Sequence, residues 1–232
     1  MMAVRAHHFY PPTTRLPAMW IGAHVATATF GLLSLAFIAD IPQARAQTPA
    51  ATDTVPAVTL STDQQIAAAV LPLPAEMRDS ATVLGYESNA KLVKLRSGSG
   101  SMICLAPQVR SPRFHVACYH RSLEPFMARG RALRTSGVKG DAVDSVRFRE
   151  AKAGRLKLPR QAAALYSLTG PWDVFDTATV TAPKARPLFV VYMPYATAGS
   201  TGLRTTPIKD GPWLMGAGTP KAHIMVVPDM QP

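Results

Sequence analysis

The sequence predicts an α+β fold: an antiparallel sheet of about six strands with two to four short helices packed on it. Three observations carry this. Between residues 81 and 119, four short apolar or alternating segments are separated by turn-forming residues. After Tyr119 the apolar residues switch to helical spacing. The C-terminal third returns to short apolar runs joined by a Gly- and Pro-rich connection. The 21 prolines among 232 residues call for many loops and short helices.

Taken in order, the chain opens with a charged segment containing Arg5 and Arg15, followed by the uncharged apolar run "AMWIGAHVATATFGLLSLAFIA", residues 18–39. Asp40 and Pro42 break that run, and "ARAQ" places Ala44 and Ala46 in the small-residue pattern read by a signal peptidase. Residues 1–46 are therefore expected to be a signal peptide, with cleavage before Gln47 and no transmembrane segment left afterwards. The competing reading is a retained anchor, since the run is long enough to span a bilayer. Residues 47–60 are short of large apolar side chains and have no period, and are expected to be a flexible leader. Residues 61–232 are expected to form a single domain.

Ser61 with Gln64 matches a capping box, and the alanines behind it favour a helix ending before Pro72. "ATVLGY", "KLVKLR", "SMICLA" and "FHVACY" read as strands of an antiparallel meander, with "ESNA", "SGSG" and "PQVRSPR" between them. Strand parity puts Phe114, Val116 and Cys118 on one face, and Cys104 with Met102 and Ala106. Next, Leu123, Phe126, Met127, Gly130 and Leu133 form a helical stripe. Ser122 is its expected N-cap, Pro125 lies in its first turn and Gly137 is its stop. Further helices are expected from Asp141, "DAVDSVRFREAK", and from near Pro159, "PRQAAALYSLTG", the latter ending at Gly170. "PLFVVYMP" and "AHIMVVP" close the chain as strands.

Cys104 and Cys118 are the two cysteines of the chain. In an exported protein such a pair is expected to be bonded, with a stabilisation on the order of 3 kcal/mol for so short a loop. No C-x-x-C spacing favours metal binding by them.

The charge is uneven. The chain carries a net +11, and residues 110–160 hold thirteen Lys and Arg against four Asp and Glu, a net of +9. Arg121, Arg129, Arg131 and Arg134 are the expected contacts for an anionic partner, such as an anionic envelope surface or an acidic polysaccharide. Export and the absence of interleaved aromatic residues argue against nucleic acid.

Motifs for other chemistry are sparse. His115, His120 and Glu124 share a short stretch, but strand parity and the helix start keep them from converging as metal ligands, and no metal or other cofactor is expected there. G-x-S-x-G and H-E-x-x-H are absent. "SNAK", residues 88–91, matches S-x-x-K without its partner motifs, and "SGSGS", residues 97–101, precedes a strand rather than the helix a phosphate cradle needs. His223 and Met225 sit two apart on one strand face, a pairing that suits Cu(I), with Met193 and Met215 as further thioethers.

The segments "TVLGY", "LVKLRSGSGSMICLA", "FHVACYHRSLEPFMARGRALR" and "GPWLMGAGTPKAHIMV" resemble those of a family of uncharacterised exported bacterial proteins, over residues 76–137 and 187–228. Relatives tend to have Asn-Gly where this chain has Gly100 and Ser101. The resemblance implies export and a single domain, and no catalytic residue comes with it. The leading expectation is a periplasmic or secreted binding module with a basic face. The alternatives are an envelope enzyme using His115, His120, Glu124 or His223, and a copper carrier using His223 and Met225.

Overall fold

Ser61 starts the first helix as its sequence predicts. Its hydroxyl accepts the Gln64 N–H at 3.2 Å, and the Gln64 side chain accepts the Ser61 N–H at 2.9 Å, closing a capping box on α1 (Thr62–Ala69). The computed structural model describes residues 58–208 and 211–228, all within one compact unit. The expected signal peptide, its cleavage site and residues 47–57 of the leader lie outside the described residues. The last leader residues belong to the core: Leu60 is buried, and Val58 packs against the same apolar cluster. One further turn, α2 (Ala75–Arg78), leads into the sheet.

The sheet has eight strands among the described residues: β1 (Thr82–Tyr86), β2 (Leu92–Arg96), β3 (Met102–Leu105), β4 (Phe114–His120), β5 (Ala163–Gly170), β6 (Arg186–Tyr192), β7 (Trp213–Met215) and β8 (His223–Val226). Their order is β2-β1-β3-β4-β5-β6-β8-β7. The fold is thus mixed α and β, with eight strands rather than about six.

Two strand expectations need correction. The expected meander breaks at β3, which pairs with β1 in parallel rather than with β2. The "SGSG" connection is therefore no hairpin: it crosses the start of β1. Gly98 is fitted to that crossing, since a Cβ there would stand 2.2 Å from the Ser80 carbonyl oxygen and 2.3 Å from the Ala81 carbonyl carbon. Gly100 N–H bonds the Ser80 carbonyl at 2.7 Å and anchors the same crossing. The second correction is β5. Its alanines suggested a helix, yet it is a central strand paired antiparallel with both β4 and β6. Neighbouring strands on both sides outweigh a weak local preference for helix.

Each face of the sheet has its own cover. On one face, α1 packs Ala69 and Val70 over Val83, Cys104 and Cys118. Gln65 ties that helix to β1: its amide oxygen accepts the Tyr86 N–H at 2.8 Å and its amide nitrogen donates to the Tyr86 carbonyl at 3.1 Å. Farther along the same face, Phe114 stacks on Phe175 with centroids 4.7 Å apart and meets Trp172 edge-on at 5.8 Å. Cys104 and Cys118 are directly opposed in the β3–β4 register and form a disulfide, as expected from parity. The opposite face carries Tyr119, Ala163, Val190 and Tyr192 under α3 (Glu124–Thr135) and α4 (Ala142–Lys152). A short α5 (Ala198–Thr201) lies beyond β6, in the connection to β7. Among the described residues no helix is long and apolar enough to cross a membrane.

Candidate functional site

The basic segment forms the α3–α4 layer. The start of α3 differs from expectation: a 3-10 turn, Arg121–Leu123, precedes it, and His120 caps that turn by accepting the Ser122 N–H at 3.2 Å. Pro125 occupies the first turn of α3, and Gly137 at φ 89° follows its end. Phe126, Gly130 and Leu133 are buried on the inner side, as the helical stripe predicts.

The arginines divide into two groups. Arg131 is expected at the surface but turns inward: it donates to the Tyr119 hydroxyl at 2.8 Å and to Glu124 Oε1 at 2.7 Å. The Tyr119 hydroxyl in turn donates to Glu124 Oε2 at 2.6 Å. Burial above all, helped by the Glu124 carboxylate, raises the Tyr119 pKa well above its ordinary value despite the nearby Arg131 charge. Arg129 reaches across to α4, where Nε and Nη2 hold the two Glu150 oxygens at 2.8 and 2.6 Å. That fork lowers the Glu150 pKa. Sequence reasoning left both arginines free because carboxylates are scarce in this segment. The few present are placed where they pair.

Arg147 is a buried cation that the sequence reading passed over. Only 4% of its surface is exposed. Its guanidinium carbon sits 3.9 Å from the Phe126 ring centroid, Nη1 donates to the Phe126 carbonyl at 3.2 Å, and Nη2 pairs with Asp144. Gly130 makes room for it, since a Cβ there would stand 2.9 Å from Nη1. Asp144 also accepts Lys221 Nζ at 2.8 Å, which joins α4 to the β7–β8 turn. Burial pushes the Asp144 carboxyl up, but hydrogen bonds from Lys221 and Arg147, with their charges, outweigh it and hold the pKa below the ordinary carboxylate value. The Asp144–Arg147 spacing of three was a readable helical pair. The Lys221 partner, 77 residues away, was not.

His223 lies beside this network. It is buried, its Nδ1–H donates to the Lys221 carbonyl at 2.6 Å, and its ring stacks on Tyr192 with centroids 5.1 Å apart. Burial above all lowers its pKa. Met225 shares its sheet face but packs with Val190, Tyr119 and Met127. Met215 opposes His223 in the register and is 43% exposed, whereas Met193 packs with Leu214 and Ala222 in a separate apolar cluster. Of the histidine and thioethers considered for copper, Met215 and Met225 thus flank His223 on one face of β7 and β8, while Met193 lies apart. His115 projects from β4 into solvent, His120 is tied to Ser122, and Glu124 to Tyr119 and Arg131, so these three do not come together. Among the described residues no three His, Cys, Asp or Glu side chains are grouped to hold a metal.

What remains outward on this layer is almost all positive. Arg134, Lys139, Arg149, Lys152, Arg155, Lys157 and Arg160 are exposed, with Asp141 as the exposed carboxylate of the same segment. Arg121 is exposed at the strand end, where its guanidinium donates to the Gly100 carbonyl. Two cavities lie elsewhere. A cleft of 740 Å³ opens between the start of α1 and the ends of β1 and β3, bordered by Leu60, Gln65, Tyr86 and Arg110. A shallower depression of 340 Å³ lies between the segment before β5 and the one after β6, bordered by Arg160, Gln161 and Tyr195. Compared with family models, curated proteins and solved structures, the chain shows no match.

Proposed function

We propose that the protein is an exported interaction module that binds an anionic partner through the outer surface of α3, α4 and the segment leading to β5. One observation supports this above the rest. The carboxylates Glu124, Asp144 and Glu150 are all engaged inside the layer, so the exposed cations Arg134, Arg149, Lys152, Arg155, Lys157 and Arg160 face solvent with little to offset them. Export rests on the charged, apolar and A-x-A pattern of residues 1–46, and the Cys104–Cys118 bond suits an oxidising compartment. The contact residues shift from those expected. Arg134 and Arg121 remain available, while Arg129 and Arg131 act mainly within the layer.

Attraction of this kind is long-range and screened by salt. The protein should bind vesicles containing phosphatidylglycerol, or an acidic oligosaccharide, at low ionic strength, and binding should weaken steeply toward physiological salt. The triple variant Arg149→Gln, Lys152→Gln, Arg155→Gln should lose about a hundredfold in affinity, at roughly 1 kcal/mol per charge removed at an anionic surface, with its melting temperature unchanged. If wild type binds neither probe at low salt, the arginines and lysines are solubilising surface only.

A further inference from the structure

Among the described residues, three other than glycine hold a positive φ: Ala90 at 65°, Val180 at 52° and Tyr195 at 65°. Such a conformation costs an L-residue energy, and a bulky residue there needs a reason. For Val180 the fold supplies one, because its side chain packs against the cluster around Phe114 and Trp172. Ala90 has little side chain to place and closes a tight turn with its N–H on the Glu87 carbonyl at 2.8 Å. Tyr195 has no such return. Its side chain is 49% exposed.

The backbone holds it there firmly. The Ala196 N–H donates to the Met193 carbonyl at 2.9 Å, and the Tyr195 N–H to the Thr219 carbonyl at 2.8 Å. Pro194 and Tyr195 are thus the central residues of a turn with negative φ first and positive φ second, the type II pattern, whose third position ordinarily takes glycine. A tyrosine stands where glycine would fit best, and its ring is spent on solvent.

Tyr195 lines the 340 Å³ depression together with Arg160, Gln161, Met193 and Ser200. Arg160 is exposed and forms no ion pair among the described residues. It also ends the basic run Arg149, Lys152, Arg155, Lys157 that leads from α4 to the depression. A flat aromatic ring, a guanidinium fork and a side-chain amide around a shallow open hollow suit one ring of an extended chain bearing hydroxyls and a carboxylate. A lipid surface, being planar, would have no use for the hollow.

We infer that Tyr195 and Arg160 form a subsite for an acidic polysaccharide, with one uronate ring seated on the Tyr195 face and its carboxylate held by Arg160. This rests on the anionic-partner reading and names the partner within it. The strained turn fixes the direction in which the Tyr195 side chain leaves the backbone, so less ordering is needed when the chain binds. The basic surface of α4 draws the polysaccharide in, and the subsite distinguishes it from other anions.

The experiment measures binding of the full-length protein to oligogalacturonate, to its fully methyl-esterified form, and to phosphatidylglycerol vesicles, at low ionic strength. Wild type should prefer oligogalacturonate to the ester. Tyr195→Gly should raise the melting temperature by about 3 °C, by relieving the turn, and weaken oligogalacturonate binding about tenfold, by removing the ring. Its vesicle binding should stay as in wild type. Tyr195→Phe should bind oligogalacturonate as wild type does, and Arg160→Gln should narrow the preference over the ester, leaving only the part that the basic surface of α4 supplies. Opposite changes in stability and affinity at one residue are what a merely structural tyrosine would not show. Oligogalacturonate binding unaltered in Tyr195→Gly, or wild-type binding to vesicles alone, would overturn the subsite and leave the basic surface standing. Wild-type binding to none of the probes would remove both.

Discussion

The two faces of the sheet are covered in different ways. Over β1, β3 and β4, α1 presents Ala69 and Val70 to the strands, and the Cys104–Cys118 bond lies beneath them. At the far end of that face an aromatic group of Phe114, Trp172 and Phe175 closes the core. The other face is covered by α3 and α4, and there cations take part in the packing. Arg147 lies flat on Phe126, Arg131 plugs into Tyr119 and Glu124, and Asp144 links α4 to Lys221. A guanidinium is planar and weakly hydrated, so it can stack on an aromatic ring while its edges find carbonyl and carboxylate partners. The difference teaches that a basic segment is not by itself a basic surface. Part of the charge is consumed in attaching the helices, and only the remainder is available to a partner.

The largest effect should come from the apolar face. Phe114 is fully buried among rings and aliphatic side chains that cannot close over a void. Phe114→Ala should destabilise the protein by about 4 kcal/mol in chemical denaturation. A loss near 1 kcal/mol would mean that the aromatic group collapses readily into the space, and that the apolar face depends no more on close packing than the face built with cations.

On the polar face, Arg147 should show a split between two replacements. Arg147→Ala removes the contact with Phe126, the side-chain donor to the Phe126 carbonyl and one cation from Asp144, and opens a cavity over the ring, and should cost about 3 kcal/mol. Arg147→Met keeps most of the volume over the ring, and Lys221 still holds Asp144, so its cost should be about 1 kcal/mol. Denaturation of both variants under one set of conditions decides it. Equal losses would show that the charge matters rather than the packing, so that α3 and α4 are held by ion pairing where α1 is held by apolar contact.

This split also explains which parts were legible from sequence. The capping box at Ser61, the alternation of β4 and the stripe of α3 are local patterns, and each stands in the structure. The disulfide could be read because strand parity and the expected export both pointed to it. What could not be read is long-range. The β1–β3 parallel pair depends on a crossing that "SGSG" permits but does not announce. β5 is a strand because it lies between β4 and β6, not because "AAALYSLTG" prefers to be one. The pairings Arg129–Glu150 and Asp144–Lys221 join residues 21 and 77 positions apart. Tyr195 shows the same limit at a smaller scale: "MPYA" carries no mark of a positive φ, which becomes visible only when the turn is built.

The smallest effect tests whether the polar face is also the pH-sensitive one. His223 is buried against Tyr192, and burial lowers its pKa below the ordinary histidine value of about 6.5. In the unfolded chain it therefore takes up a proton at a higher pH than in the folded protein. Stability is full above the unfolded value and falls as pH drops below it, until the folded value is passed. Asp144 acts in the same direction at lower pH: its folded pKa is depressed, so its contribution is present above the unfolded carboxylate value and is lost as pH falls through the folded one. His115 is also lowered, but it is exposed on β4, and solvent screening leaves it little linkage. Thermal melts should accordingly show a drop of a few degrees between pH 7.5 and 5.5. In His223→Gln that drop should disappear, because glutamine does not titrate and can still donate to the Lys221 carbonyl. His115→Gln should retain it. A drop that persists in His223→Gln and vanishes in His115→Gln would place the sensitivity in the exposed end of β4 and not in the network beneath α4.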